Sequence, residues 1–145
     1  MAAHPAVGEH PARVRRRLVP DDAQTQIILG SLLGGALIEG APRERRMRIA
    51  HDRARERYVW WKYERLVPLS EDAPRATTGR IEFATIPHPL FDDLASLVAA
   101  PRGRARLMRE FLGPLGLAVW MSDAGRFELR ADLFLPRKRE LALSA

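Results

Sequence analysis

The stretch Ile27-Ile28-Leu29-Gly30-Ser31-Leu32-Leu33-Gly34-Gly35-Ala36-Leu37-Ile38 decides how this chain is read. It is apolar and follows Asp21-Asp22, residues suited to cap a helix N-terminus. The spacing predicts a helix over 27–38. Its small residues are grouped at Gly30, Ser31, Gly34, Gly35 and Ala36. An interior glycine costs a helix about 1 kcal/mol relative to alanine, so such a cluster needs a structural reason. Gly30 and Gly34, four residues apart, share a face on which another backbone could approach closely. A helix ending near Gly34, or a glycine-rich loop, is the alternative. A phosphate-binding loop is excluded because no Gly-Lys-Ser/Thr follows. The run is also too short and too glycine-rich to span a bilayer, so no membrane partner is expected.

Further along, Arg46-Met47-Arg48-Ile49 alternates basic and apolar residues, the pattern of a strand with one charged and one buried face. Asp52 opens a helix to about Leu66, with Ala54, Tyr58 and Trp61, and Val59, Tyr63 and Leu66, at helical spacing. The aromatics Tyr58, Trp60, Trp61 and Tyr63 are expected as core and helix-packing surface. Pro68 to Pro74 reads as a loop. Thr77 to Ile86 reads as a strand with Ile81 and Phe83 on one face and Arg80 and Glu82 on the other. His88-Pro89 opens a helix to about Ala100. A second glycine-bearing apolar helix, Leu115 to about Met121, ends at the turn signal Ser122-Asp123-Ala124-Gly125. Phe127 to Ala131 alternates again and predicts another strand. Two apolar helices, each followed by a strand with a basic face, suggest an approximate internal duplication.

Composition narrows the function classes. The chain of 145 residues carries a net charge of +6, almost all of its positive charge as arginine. Guanidinium suits bidentate contact with phosphate and guanine edges. Residues 1–20, with three prolines and Arg13, Arg15, Arg16 and Arg17, are expected to form a basic disordered tail ahead of a domain over 21–145. Cysteine is absent, which excludes disulfides and thiolate metal sites and suits the cytoplasm. His4, His10, His51 and His88 share no metal-ligand spacing, and no serine sits in a nucleophile-elbow context.

Several motifs together resemble one family. Ile28-Leu29-Gly30-Ser31-Leu32-Leu33-Gly34 is similar to the first signature helix of the LAGLIDADG homing endonucleases of bacterial and organellar type, which reads Ile-Leu-Gly-Ser-Leu-Leu-Gly-Asp-Gly. Arg48-Ile49-Ala50-His51 and Tyr58-Val59-Trp60-Trp61-Lys62-Tyr63-Glu64-Arg65-Leu66 resemble the strand and helix that follow it. His88-Pro89-Leu90 and Leu115 to Gly125 resemble the second half, the latter similar to the signature Leu-Ala-Ile-Trp-Tyr-Met-Asp-Asp-Gly. The resemblance covers roughly residues 20–135. It implies an α+β fold in which two signature helices pack together, through Gly30, Gly34 and Gly116, against an antiparallel β saddle that sits on DNA. It also implies one acidic residue at the end of each helix, holding magnesium for phosphodiester hydrolysis.

At those two positions the pattern departs. The first metal-binding Asp falls on Gly35, with Ala36 after it, and the second falls on Ala124. Neither side chain offers an oxygen ligand, so no metal is expected, with magnesium relevant only to residual nuclease activity. Aligning Ala36-Leu37-Ile38-Glu39-Gly40 with the alternative core Gly-Leu-Ile-Glu-Gly moves the ligand to Ala41, again not acidic. Glu39 and Asp123 are the carboxylates left nearby as substitutes. Relatives also continue beyond the last strand, so the chain is expected to be C-terminally short, a partner chain being one way to complete it.

The leading expectation is a binder of DNA or structured RNA that does not cleave, with contacts from Arg43, Arg45, Arg46, Arg48, Arg80, Arg126 and Arg130. Those arginines are chosen by strand position and charge. The alternatives are a residual magnesium-dependent endonuclease of the intron- or intein-homing type, and a remnant or interaction domain that dimerises through its small-residue helix face. A monomer with a pseudo-two-fold axis and a homodimer are both open.

Overall fold

The computed structural model describes residues 18–124. Helix α1 (Asp22–Leu33) starts at a capping box. The Gln24 N–H donates to Asp21 Oδ1 at 2.7 Å, and the Asp21 N–H donates to Gln24 Oε1 at 3.0 Å. Every residue from Ile27 to Leu33 is buried. A helix apolar all round must be covered all round. Gly34 caps its C-terminus, the Ala36 N–H reaches back to the Ser31 carbonyl, and Gly35 has φ +115°. That left-handed residue is what lets the chain reverse, and a side chain there would be strained.

The reversal corrects the reading of a helix through Ile38. Leu37–Glu39 is instead strand β1, antiparallel to β2 (Arg46–Asp52). A short 3₁₀ turn, Arg53–Arg55, then leads into α2 (Glu56–Leu66), so this helix begins a turn later than Asp52 suggested. The strand expected over 77–86 is a hairpin, β3 (Arg75–Thr77) and β4 (Arg80–Ala84), turning at Thr78-Gly79, where Gly79 has φ +70°. Helix α3 (Pro89–Ala99) follows, capped by His88 with Pro89 in its first turn. Helix α4 (Gly103–Arg106) runs into a π-turn, Leu107–Phe111. Helix α5 (Pro114–Asp123) is longer than the Leu115–Met121 expected of it. The strand read over Phe127–Ala131, and with it the duplication, lies outside the described residues.

The strands form one antiparallel sheet in the order β1-β2-β4-β3. Strand periodicity puts Met47, Ile49, Ile81 and Phe83 on one face, all at most 3% exposed, against α2 and the rest of the core. Glu39, Arg46, Arg48, Arg80 and Glu82 lie on the other face, in register across the ladder. Among the described residues no helix is long and apolar enough to cross a membrane.

Helices α1 and α5 pack closely through their glycines. A Cβ on Gly30 would collide with the Gly116 carbonyl oxygen and with Val119 Cβ, and one on Gly34 would collide with Asp123 Cβ. One on Gly116 would meet Gln26 and Leu112. Gln26 ties the two helices further: its Nε2 donates to the Phe111 carbonyl at 2.9 Å and its Oε1 accepts from the Gly113 N–H at 2.6 Å. The small-residue face of α1 is therefore consumed inside the chain, which removes it as the dimerisation surface considered above.

Gly30→Ala tests this contact. Alanine favours a helix by about 1 kcal/mol over glycine. Its methyl would nevertheless strike backbone, which cannot rotate aside. The expected net effect is a loss of about 1–3 kcal/mol, read by urea unfolding.

Candidate nucleic-acid interface and helix-end site

The C-terminal ends of α1 and α5 meet beside α2. Gly34 leaves room for Asp123, the last residue of α5, whose side chain is only 1% exposed. Val59, Lys62 and Leu66 occupy the buried stripe of α2, so Lys62 is carried into the interior and is fully buried. Its Nζ donates to both carboxylate oxygens of Asp123 at 2.9 Å. The Tyr58 hydroxyl, one turn earlier on α2, donates to Asp123 Oδ1 at 2.6 Å. From β2, His51 brings Nε2 to 3.3 Å from Lys62 Nζ and 3.6 Å from Asp123 Oδ1.

Burial governs the protonation of this cluster. It lowers the pKa of Lys62, while the adjacent Asp123 carboxylate opposes that shift and keeps an ammonium partner in place. It raises the pKa of Tyr58, helped by the hydrogen bond to Asp123, so the phenol stays a donor. It lowers His51 to about 4, with the Lys62 charge acting in the same direction. A neutral His51 can accept a hydrogen bond from Lys62 through Nε2.

This arrangement does not fit a divalent cation. Magnesium takes near-octahedral oxygen coordination. Gly35 and Ala124, the positions where the resemblance implies acids, carry no side-chain oxygen. Both oxygens of Asp123 already accept hydrogen bonds, and a buried ammonium neutralises them. Glu39 is not brought to Asp123. Because the chain reverses at Gly35, Glu39 lies on β1 on the open face of the sheet, whereas Asp123 lies on the helix side. The pairing of these two carboxylates as substitute ligands is thus corrected by the turn that ends α1. Among the described residues no cluster of three His, Cys, Asp or Glu side chains could hold a metal ion.

The structure gathers the expected arginines only in part. Arg46, Arg48 and Arg80 share the open sheet face, and each faces a carboxylate. Arg46 reaches Glu39 at 2.9 Å and Glu71 at 2.6 Å. Arg48 reaches Glu39 at 3.0 Å and Glu82 at 2.7 Å. Arg80 lies 3.5 Å from Asp52. Arg43 and Arg45 sit on the β1–β2 connection against α3. The Arg43 N–H donates to Asp92 at 3.0 Å, and the Arg45 Nε lies 3.7 Å from the same carboxylate. Arg126 and Arg130 lie outside the described residues. Arg75 on β3, which strand position alone did not single out, joins the open face beside Glu82. Sequence reasoning also passed over Lys62, although a lysine three residues from Val59 and four from Leu66 on a helix is a visible anomaly.

Two helices that meet at glycines beside a four-stranded antiparallel sheet define an α+β fold. The model of the LAGLIDADG DNA endonuclease family matches residues 25–140, and the chain belongs to that family. Curated relatives include proteins named RecA. The one from Mycolicibacterium chitae is 31% identical over 116 residues, 76% of this chain and 27% of the relative. The one from Mycobacterium gastri is 31% identical over 134 residues, 86% of this chain and 31% of the relative. The chain thus spans under a third of those proteins. Among solved structures, the homing endonuclease I-WcaI bound to its DNA recognition sequence superposes with a TM-score of 0.60 at 15% identity. That match covers 79% of this chain and 59% of the other, and it shows a shared fold.

Two outcomes follow from the buried cluster. Lys62→Met leaves the Asp123 charge without its partner and should cost about 3–5 kcal/mol in urea unfolding. His51 sets a pH dependence. Above pH 6.5 its ring is neutral both folded and unfolded. As pH falls from 6.5 towards about 4, the unfolded chain takes up a proton that the folded chain refuses, so stability is lost through this window. Urea midpoints measured across it should fall less steeply in His51→Gln, by about one proton.

Proposed function

We propose that this protein binds nucleic acid through the open face of its sheet and does not cleave it. The observation that carries this reading is the state of the two helix ends. Gly35 and Ala124 offer no metal-binding side chain, and Asp123, the carboxylate nearest them, is sealed by Lys62 and Tyr58. Family membership, the likeness to an endonuclease captured on its DNA, and the net charge of +6 support the binding half. Binding and cutting depend on different parts of the molecule. The sheet face needs arginines and shape, whereas hydrolysis needs anionic ligands at the helix ends, so one can persist without the other.

The test pairs the natural chain with a restored one. Restoring acids requires Gly35→Asp and Ala124→Asp. It also needs Ala36→Gly, because Gly35 occupies a left-handed conformation that an aspartate would strain, and a glycine one residue later lets the chain turn there instead. The natural protein is expected to retard duplex DNA in a gel at low ionic strength without divalent metal, and to leave supercoiled plasmid intact with magnesium. The restored protein is expected to nick it. Nicking by the natural chain would refute the loss of cleavage, and absence of retardation at low ionic strength would refute the binding.

A further inference from the structure

The open sheet face has the wrong charge for a simple phosphate clamp. Arg46, Arg48, Arg75 and Arg80 are balanced there by Glu39, Glu71, Glu82 and Asp52, although the chain as a whole is strongly basic. Surfaces that hold nucleic acid through phosphates leave their cations uncompensated, and their affinity falls steeply with salt.

Glu39 is the hub of this face. Its Oε2 accepts from Arg46 Nε at 2.9 Å. Its two oxygens also accept from Arg48 Nε and Nη2, both at 3.0 Å, a two-pronged pairing that fixes the plane of the guanidinium. Glu82 holds Arg48 through Nη1 at 2.7 Å, and Glu71 holds Arg46 through Nη1 at 2.6 Å. The Arg48 bond is also the main reason the Glu39 carboxyl sits below the usual carboxylate range, so Glu39 stays ionised. Both arginine side chains remain about one-third exposed. A guanidinium has five N–H groups, so each arginine keeps donors beyond those its carboxylates engage. The ladder borders a cavity of about 300 Å³ lined by Arg46, Arg48, Glu71, Asp72, Arg75 and Ala84.

Flexible, uncompensated arginines find phosphates. Arginines held rigidly by carboxylates, on a face without net charge, suit the O6 and N7 acceptors of guanine, which are reached in the major groove of B-form DNA. The narrow major groove of duplex RNA does not admit such a face. We propose that Glu39 is a positioning residue for base recognition, fixing Arg46 and Arg48 as a guanine-reading pair on duplex DNA. This inference rests on the nucleic-acid-binding reading above and gives Glu39 its part in it.

The test is selection from a DNA duplex library with a randomised core, using the full natural chain, Glu39→Gln and Arg48→Lys, with thermal melting of each. The selected duplex and a mixed-sequence duplex are then titrated across salt. The natural protein should enrich guanine-containing sites and prefer them at least about tenfold over mixed sequence, the discrimination expected of bidentate base contacts. Glu39→Gln removes the carboxylate charge that Arg46 and Arg48 share and leaves each guanidinium with a single anionic partner. It should lose most of that preference, bind mixed sequence as well or better, and show a salt slope steeper by about one. Arg48→Lys keeps the charge but not the fork, so it should lose preference with an unchanged slope. The proposal is overturned if Glu39→Gln lowers the melting temperature and weakens every duplex equally, with preference and slope unchanged. It is also overturned if the natural chain binds tightly without preference, or prefers duplex RNA of the same sequence. Failure of the natural chain to bind any duplex would instead remove the binding reading itself.

Discussion

The approach of α1 to α5 at Gly30 and Gly116 is the constraint on which the rest of the structure depends. Two helices can bring backbone against backbone only where no Cβ intervenes, and here the Gly116 carbonyl occupies the space a Gly30 side chain would need. The same contact helps bury Ile27–Leu33, the last two turns of α1, on every side, so that stretch can consist of Ile, Leu, Gly and Ser with no polar face. It also aligns the two helix ends, putting Gly34 against Asp123 and Asp123 within reach of α2. Loosening the crossing by one methyl would disturb the core and the helix-end cluster together.

At the helix ends, the cation beside the carboxylate belongs to the protein itself. Lys62 is supplied by the chain, is fully buried, and takes both oxygens of Asp123. Such a pair gains Coulomb energy but must first be stripped of water, so its net contribution is modest while the cost of removing one member is large. Tyr58 and His51 complete the shell: one donates to the carboxylate and the other stands neutral beside the ammonium. The outcome is a buried, fully paired junction between α2, α5 and β2.

The open sheet face repeats this compensation at the surface. Arg46, Arg48 and Arg80 look unattached when the strands are read alone, yet each has a carboxylate delivered by a neighbouring strand or loop. Glu39 and Arg48 are nine residues apart and meet because β1 and β2 pair antiparallel. Glu82 and Arg48 are thirty-four residues apart and meet because β4 lies on the other side of β2. A charge on a strand is therefore not a charge on a surface until its neighbours are known.

The sequence by itself determined the α+β class and the glycine-bearing helices, because these are written in local periodicity and in a motif whose order is unmistakable. It also determined which faces of β2 and β4 are apolar, since alternation of Met47, Ile49, Ile81 and Phe83 needs no partner to be read. Only the tertiary structure decided where α1 stops. Leu37 and Ile38 look like more helix until Gly35 turns left-handed and carries them into a strand, and that turn is what separates Glu39 from Asp123. It alone decided that Lys62 is buried, since a charged lysine in a core needs an anionic partner, and Asp123 comes from sixty-one residues away. The physical reason is common to these cases. Periodicity and capping act over a few residues and are legible in order along the chain, whereas electrostatic partners are chosen by which elements pack together.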